Sequence, residues 1–168
     1  MLTSVIGRDP SPFVKYVIIN RGSDDGLRRG MPVVTSQGLV GRVAAVTAGA
    51  GRCELITDPA SSVNVRVEPS GAQAVLLGSV TGDLTLDMIP QSAVVQVGDL
   101  VLTSGLGGNY PGDILIGQVT SVRKRETDLF QSATVQPVVD FSKLEILLTI
   151  TNFRPVDIRP LVPTVAAP

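Results

Sequence analysis

Apolar and polar residues alternate over short stretches along almost the whole chain. The pattern is clearest where Val63, Val65 and Val67 are separated by the polar residues Asn64 and Arg66. Such period-two alternation is typical of a strand with one buried face. Similar runs, separated by turn-forming residues about every ten positions, predict about eleven short strands and at most one helical turn, near residues 128–130. The predicted fold class is all-β, and small barrels are favoured because a closed barrel leaves no unpaired strand edge.

Two stretches of the chain, 30–46 and 98–122, resemble each other. Each has a glycine, a valine and a Thr-Ser pair at the same spacing, followed by an apolar run with an internal glycine. The matched residues are Gly30, Val33, Thr35, Ser36 and Leu39–Val43 in the first stretch and Gly98, Val101, Thr103, Ser104 and Leu115–Val119 in the second. This self-similarity predicts two related β modules, with chance similarity in a Gly- and Val-rich chain as the alternative.

We therefore divide the chain into two small barrels in one compact unit. The first barrel is predicted at residues 1–90 and the second at 91–152. The last predicted strand, 144–151, either closes the second barrel or crosses back to the first. Residues 153–168 are rich in proline and are predicted to form a disordered tail.

Composition restricts both the core and the chemistry. The chain has 43% hydrophobic residues but only 4% aromatics and no tryptophan, so Val, Leu, Ile and Ala must build the core. A net charge of −1 and few aromatics argue against nucleic-acid binding, and we interpret the basic runs 28–29 and 123–125 as solvated turns. Cys53 is the single cysteine and is interpreted as a small core residue. From its sequence we predict neither a signal peptide nor a membrane helix within this chain.

The Gly-rich segment 105–112 is the main candidate for chemistry. Ser104 would need a general base, but the chain has no histidine and no lysine follows Ser104 at Ser-x-x-Lys spacing. The segment departs from the G-x-G-x-x-G phosphate loop at its last position and lacks a P-loop lysine. The carboxylates of Asp24 and Asp25 lack the spacing of a calcium loop. We predict no catalytic residue, no metal and no cofactor, and interpret the glycines as positions of positive φ in a wide loop.

An interaction module that acts through its surface remains the best interpretation. Large apolar side chains in loops are candidate anchors for a partner, because exposed aromatics often mark partner sites. We name Tyr110, Phe130 and Leu106 as the candidate partner-binding residues. The alternative is that Tyr110 and Phe130 each cover a barrel end.

Several motifs resemble the MreC family of rod shape-determining proteins, in the family's order and between about Ile6 and Ile150. The motifs are IGRDPSPF (6–13), INRGSDDGLRRGMPVV (19–34), GLVGRV (38–43), LITDPASSVNV (55–65), the segment 98–119 and PVVDFSKLE (137–145). Within them we take as the structural signature Gly22, Gly26, Gly38, Gly41, Asp58, Pro59, Gly98, Asp99, Thr103, Ser104, Gly105, Pro111, Gly112 and Gly117.

The resemblance implies a non-enzymatic scaffold of the bacterial cell-elongation machinery. Such a scaffold maintains rod shape by binding and regulating the class B penicillin-binding transpeptidase that builds peptidoglycan. It implies MreD, MreB and RodA as further partners, self-association, and a position on the periplasmic face of the cytoplasmic membrane, anchored by an N-terminal helix outside this chain. The alternatives are a domain that mainly self-assembles into filaments and, less in keeping with the residues, a two-barrel hydrolase.

Overall fold

The computed structural model describes residues 1–9, 11 and 13–163, and these residues form twelve β-strands and three single-turn 3-10 helices. The strands are β1 (Leu2–Arg8), β2 (Tyr16–Ile19), β3 (Pro32–Val34), β4 (Leu39–Val46), β5 (Gly51–Leu55), β6 (Ser62–Glu68), β7 (Ala72–Leu77), β8 (Leu84–Pro90), β9 (Leu100–Thr103), β10 (Leu115–Arg123), β11 (Phe130–Pro137) and β12 (Ile146–Thr149). The 3-10 helices are Ser23–Asp25, Phe141–Lys143 and Arg159–Leu161. The all-β prediction is confirmed, whereas the helical turn predicted near 128–130 is wrong, because residues 128–129 form a bend and Phe130 begins β11.

The strands close into two antiparallel six-stranded barrels. The first barrel has the order β1-β12-β3-β4-β5-β2 and the second has the order β10-β11-β8-β7-β6-β9. Each strand therefore has a hydrogen-bonded neighbour on both sides, which removes the free edges that would pair with other chains.

The predicted boundary at residue 90 is wrong. Strands β6–β8 belong to the second barrel, because Val65 of β6 pairs with Ala74 of β7 on one side and with Thr103 of β9 on the other. The last strand, β12, crosses back and pairs with β1 and β3 of the first barrel. These pairings join residues far apart in sequence, so the alternation of single strands carried no information about them.

The sequence repeat is also a repeat in strand register. In the β3–β4 hairpin Val33 pairs with Gly41, and in the β9–β10 hairpin Val101 pairs with Gly117, each next to a β-bulge. A Cβ atom at Gly41 would collide with the carbonyl oxygen of Glu54 on the neighbouring strand. A Cβ atom at Gly117 would collide in the same way with the carbonyl oxygen of Gln136 on β11. The two glycines therefore permit the same close approach of backbones in both barrels.

Each barrel has its own aliphatic core, and the two cores meet at the junction. The first core contains Val17, Val33 and Leu147, together with Cys53, which is fully buried as predicted. Burial raises the pKa of the Cys53 thiol. Leu39, at the start of β4 in the first barrel, packs instead into the core of the second barrel and so helps to join the two.

The predicted disordered tail is corrected for residues 153–163, and residues 164–168 lie outside the described residues. We call residues 153–159 the C-terminal strap, because they cross from the first barrel to the second. Pro155 lies against Gly30 of the first barrel, and the Val156 N–H donates to the carbonyl of Gly108 in the second (2.9 Å). The strap therefore has a defined path although most of its side chains are exposed.

Candidate partner-binding surfaces

The Gly-rich loop that joins β9 to β10 is held by hydrogen bonds at its base. The hydroxyl of Thr103 donates to the Pro111 carbonyl (2.7 Å) and accepts the Ile114 N–H (2.9 Å). Asp113 also has a positive φ (67°), and its carboxylate pairs with Arg66 (2.6 Å). Three of the four glycines of the segment adopt the predicted positive φ, which is 78° at Gly105, 84° at Gly107 and 76° at Gly108, whereas Gly112 does not. The loop is therefore braced by its own side chains, and its glycines serve the backbone path.

Ser104 lies in this loop as a turn-forming residue. Its hydroxyl oxygen accepts the Leu106 N–H (3.2 Å), and its own N–H donates to the Asn64 carbonyl (3.0 Å). No basic side chain of the described residues forms a hydrogen bond with the Ser104 hydroxyl. Nor do residues 1–9, 11 and 13–163 contain three His, Cys, Asp or Glu side chains grouped to hold a metal ion.

Tyr110 is a core residue and the prediction that it is an exposed anchor is wrong. Only 6% of its surface is accessible, and it belongs to the same core cluster as Leu39 and Ile116. Burial raises the pKa of its phenol. The sequence placed Tyr110 in a loop but could not show that the loop folds its side chain inward.

Leu106 and Phe130 are both exposed, but they lie at opposite ends of the second barrel. Their accessible fractions are 58% for Leu106 and 42% for Phe130. The loop with Leu106 precedes the first residue of β10, whereas Phe130 begins β11, beside the last residues of β10. A nine-residue strand spans about 27 Å at roughly 3 Å per residue. The two residues therefore cannot form one continuous patch.

An apolar surface on a pair of strands of the first barrel was not predicted. We call it the β1/β12 stripe, and it consists of Leu2, Ile6, Ile146 and Leu148, which are 60%, 61%, 60% and 42% exposed. Leu2 pairs directly with Leu148, and Ile146 lies opposite Ser4, between Leu2 and Ile6. Leu2, Ile146 and Leu148 therefore project from the same outer face of two paired strands, and Ile6, in the bulge between Val5 and Gly7, is exposed further along β1.

The signature residues taken from the family motifs hold turns and junctions. The buried Asp58 accepts the N–H groups of Lys15 (2.7 Å) and Ala60 (2.8 Å) and so fixes the start of the link between the barrels. At Gly38 the β3–β4 turn of the first barrel lies directly against the second barrel. A Cβ atom there would collide with the carbonyl of Leu115. The signature thus marks positions that the fold requires.

Two closed barrels that meet at an aliphatic junction, with an exposed apolar stripe on the first, define the chain as a twin-barrel β domain. The sequence model described as "Rod shape-determining protein MreC, barrel core" matches residues 5–151. The chain therefore belongs to the MreC family of rod shape-determining proteins. It is 36% identical over 143 residues to the cell shape-determining protein MreC of Cereibacter sphaeroides, covering 85% of this chain and 46% of the relative. It is 32% identical over 149 residues to MreC of Escherichia coli K12, covering 88% and 41%.

The chain spans less than half the length of these two relatives. Among solved structures, MreC from Pseudomonas aeruginosa superposes with a TM-score of 0.81 at 28% identity, covering 89% of this chain and 97% of that one. Two more distant structures share the fold: the periplasmic domain of "the cell shape-determining filament MreC" (TM-score 0.77, 22% identity, 88% and 92% covered) and MreC in a complex with penicillin-binding protein PBP2 from Helicobacter pylori (0.70, 19%, 90% and 98%). Within its described ranges, the chain has no helix with the length and apolar character needed to span a bilayer.

Proposed function

We propose that this chain is a non-enzymatic scaffold domain that binds and regulates the class B penicillin-binding transpeptidase of the cell-elongation machinery. The β1/β12 stripe is the observation that carries this proposal. Four aliphatic side chains stand exposed on a rigid barrel wall, where a soluble barrel normally places polar residues. The distant MreC structure solved in a complex with penicillin-binding protein PBP2 supports the choice of partner.

The closed barrels favour docking through side chains over docking by strand addition. Both sheets are closed, so the described residues offer no free strand edge to which a partner strand could be added. Burying one aliphatic side chain stabilises a complex by about 1.5–3 kcal/mol, and the stripe presents four that are already held on paired strands. A partner that buries the stripe in only one of its conformations is shifted towards that conformation. Regulation of the transpeptidase follows from such differential affinity.

The remaining parts of the proposal come from membership of the family. The domain would act on the periplasmic face of the cytoplasmic membrane, held by an N-terminal anchor outside this chain. MreD, MreB and RodA would be its further partners in the same machinery. Leu106 and Phe130 remain proposed contact residues, each for a separate surface at one end of the second barrel.

The test is a binding titration of the chain against the soluble domain of its cognate class B transpeptidase. The variant Ile6→Asp/Ile146→Asp places charges in the stripe without altering a buried residue. We expect it to bind at least tenfold more weakly than the wild type, because two aliphatic contacts are lost and two carboxylates are desolvated. Val94→Asp is the matched control, since Val94 is a similarly exposed aliphatic residue (66%) in the β8–β9 connection of the second barrel.

Leu106→Asp and Phe130→Asp complete the series. Wild-type affinity in the double stripe variant, together with a loss in Leu106→Asp or Phe130→Asp, would move the transpeptidase contact to the second barrel. Wild-type affinity in all of the variants would contradict the proposal for every surface named above.

Self-assembly is the second candidate function. The stripe lies on two antiparallel strands, β1 and β12. A second copy related by a two-fold axis would therefore present a matching aliphatic surface to it. The distant relative called a filament supports this alternative. Analytical ultracentrifugation of the wild type and of Ile6→Asp/Ile146→Asp distinguishes the two: a concentration-dependent dimer that the variant abolishes favours self-assembly, and a strict monomer argues against it.

A further inference from the structure

Five arginines line two neighbouring hollows on either side of the C-terminal strap. The hollow of about 230 Å³ is lined by Arg28, Arg29 and Arg154. The hollow of about 420 Å³ is lined by Arg29, Arg42 and Arg159. Arg29 is common to both, and so is Pro155 of the strap. The chain as a whole has a net charge of −1, so this concentration of positive charge is local.

Most of this charge is not neutralised by the residues around it. Arg159 forms a bidentate pair with Asp157, which is the single acidic residue among those that line the two hollows. In the described part of the chain, Arg28, Arg29, Arg42 and Arg154 have no carboxylate within salt-bridge distance. Four of the five arginines that line the two hollows therefore keep guanidinium donors that are not paired with a carboxylate.

The backbone beneath these arginines is braced. The turn that carries Arg28 and Arg29 is closed by the Gly30 N–H, which donates to the Val43 carbonyl (2.8 Å), and by the Met31 N–H, which donates to the Arg28 carbonyl (3.3 Å). Arg42 projects from β4 and is half-buried. The opposite wall comes from the second barrel, where Gly107 and Asn109 line the larger hollow. The positive charges therefore stand on the first barrel and on the C-terminal strap, the second barrel supplies an uncharged wall, and the braced backbone needs little ordering to bind a ligand.

We propose that the two hollows bind an anion with phosphate chemistry, a phosphate or diphosphate group. Guanidinium forks donate pairs of parallel hydrogen bonds to phosphate oxygens, and several forks around one site suit a group with several charged oxygens. The amide of Asn109 adds a neutral donor at the rim. The bound group is part of either a soluble phosphate compound or an anionic lipid headgroup, and both present the same oxyanion. This inference is independent of the proposed function, because none of the five arginines belongs to the β1/β12 stripe.

The repeated hairpin indicates which residue can replace Arg42 conservatively. Position 42 in β4 corresponds to Gln118 in β10, since each lies one residue after the bulge glycine and pairs with the first residue of the preceding strand. Glutamine is therefore compatible with this register. Arg29→Gln/Arg42→Gln removes two charges from the larger hollow and leaves the barrels intact. Arg123→Gln/Arg125→Gln is the matched control, because it removes two exposed charges at the far end of β10.

The first experiment is a calorimetric titration of the chain with inorganic diphosphate at low salt. We expect saturable binding, weakened at least tenfold in Arg29→Gln/Arg42→Gln and less than twofold in Arg123→Gln/Arg125→Gln. The second is co-sedimentation of the same three proteins with phosphatidylglycerol vesicles and with phosphatidylcholine vesicles.

Together the two experiments distinguish a soluble phosphate compound from an anionic lipid headgroup. Diphosphate binding that depends on Arg29 and Arg42, without vesicle binding, supports a soluble phosphate compound. Binding to phosphatidylglycerol vesicles alone, lost in Arg29→Gln/Arg42→Gln, supports a lipid headgroup. The proposal is overturned if the wild type binds neither probe, if Arg29→Gln/Arg42→Gln binds as well as the wild type, or if the control variant loses as much affinity.

Discussion

The two barrels share their strand registers but differ in how they close and in what they expose. The second barrel is built from six consecutive strands, β6–β11. In the first barrel the place of β6 is taken by β12, which comes from the other end of the chain and pairs with β1 and β3 as β6 pairs with β7 and β9. The first barrel is therefore a permuted copy of the second, and its closure depends on the two ends of the chain meeting.

The strands that close the two barrels, β6 and β12, also differ in the residues on their exposed faces. The outer face of β6 carries Asn64, Arg66 and Glu68, and Arg66 is paired with Glu68 and Asp113. The outer face of β12 carries Ile146 and Leu148. The same position in the fold is thus covered by polar side chains in one barrel and left apolar in the other. This difference is the reason for proposing the first barrel as the docking surface.

Removal of β12 should produce the largest difference in stability between the two barrels. In a chain that ends at Lys143, β1 and β3 lose their common neighbour and the first barrel opens. We expect amide hydrogen exchange in β1–β5 to approach unfolded rates, while β6–β11 stay protected, because that barrel is complete without β12. A chain that ends at Arg154 keeps β12 and is the control. Equal protection of both barrels in the chain that ends at Lys143 would show that the first barrel does not need its closing strand.

Alanine at the two bulge glycines should have a smaller and equal effect in the two barrels. Gly41→Ala and Gly117→Ala each force a Cβ atom against a carbonyl oxygen of the neighbouring strand. We expect each to lower the free energy of unfolding by about 2–3 kcal/mol, measured by urea denaturation. Gly49→Ala, at a position with no atom within 4 Å of the added Cβ, should change it by less than about 0.5 kcal/mol. Tolerance of alanine at only one bulge would break the structural equivalence of the hairpins.

The smallest effect concerns the strap that joins the barrels. Hydrogen bonds from the Arg159 side chain and backbone lower the pKa of Asp157 to about 2. A lowered folded-state pKa means that the ionised pair stabilises the strap above about pH 4, and that this contribution is lost as the pH falls from about 4 to 2. Carboxyl NMR titration should show this low pKa, and Arg159→Gln should raise it towards 3.8. The pKa of Asp140, which hydrogen bonds from Ser142 lower, serves as the internal control and should not move in Arg159→Gln.

The sequence allowed the strands to be predicted far better than their partners. Alternation and turn residues located nearly every strand, and the repeat correctly related the two hairpins. The boundary at residue 90 failed because the alternation in β6–β8 says which face is buried but not which barrel contains it. The site was predicted less well. Tyr110 was taken for an exposed anchor because it lies in a loop, whereas Arg28 and Arg29 are exposed as the sequence predicted.

By itself, the sequence determined the all-β class, the aliphatic cores, the twin hairpins and the family. Each of these depends on local spacing or on composition, which the chain carries without reference to its fold. The tertiary structure alone decided which strands close each barrel and which faces are exposed. In β1 the inward face carries Thr3 and Val5, while the larger side chains of Leu2 and Ile6 are exposed. Which face of β1 is buried depends on its pairing within the barrel. One of its two neighbours, β12, comes from the far end of the chain.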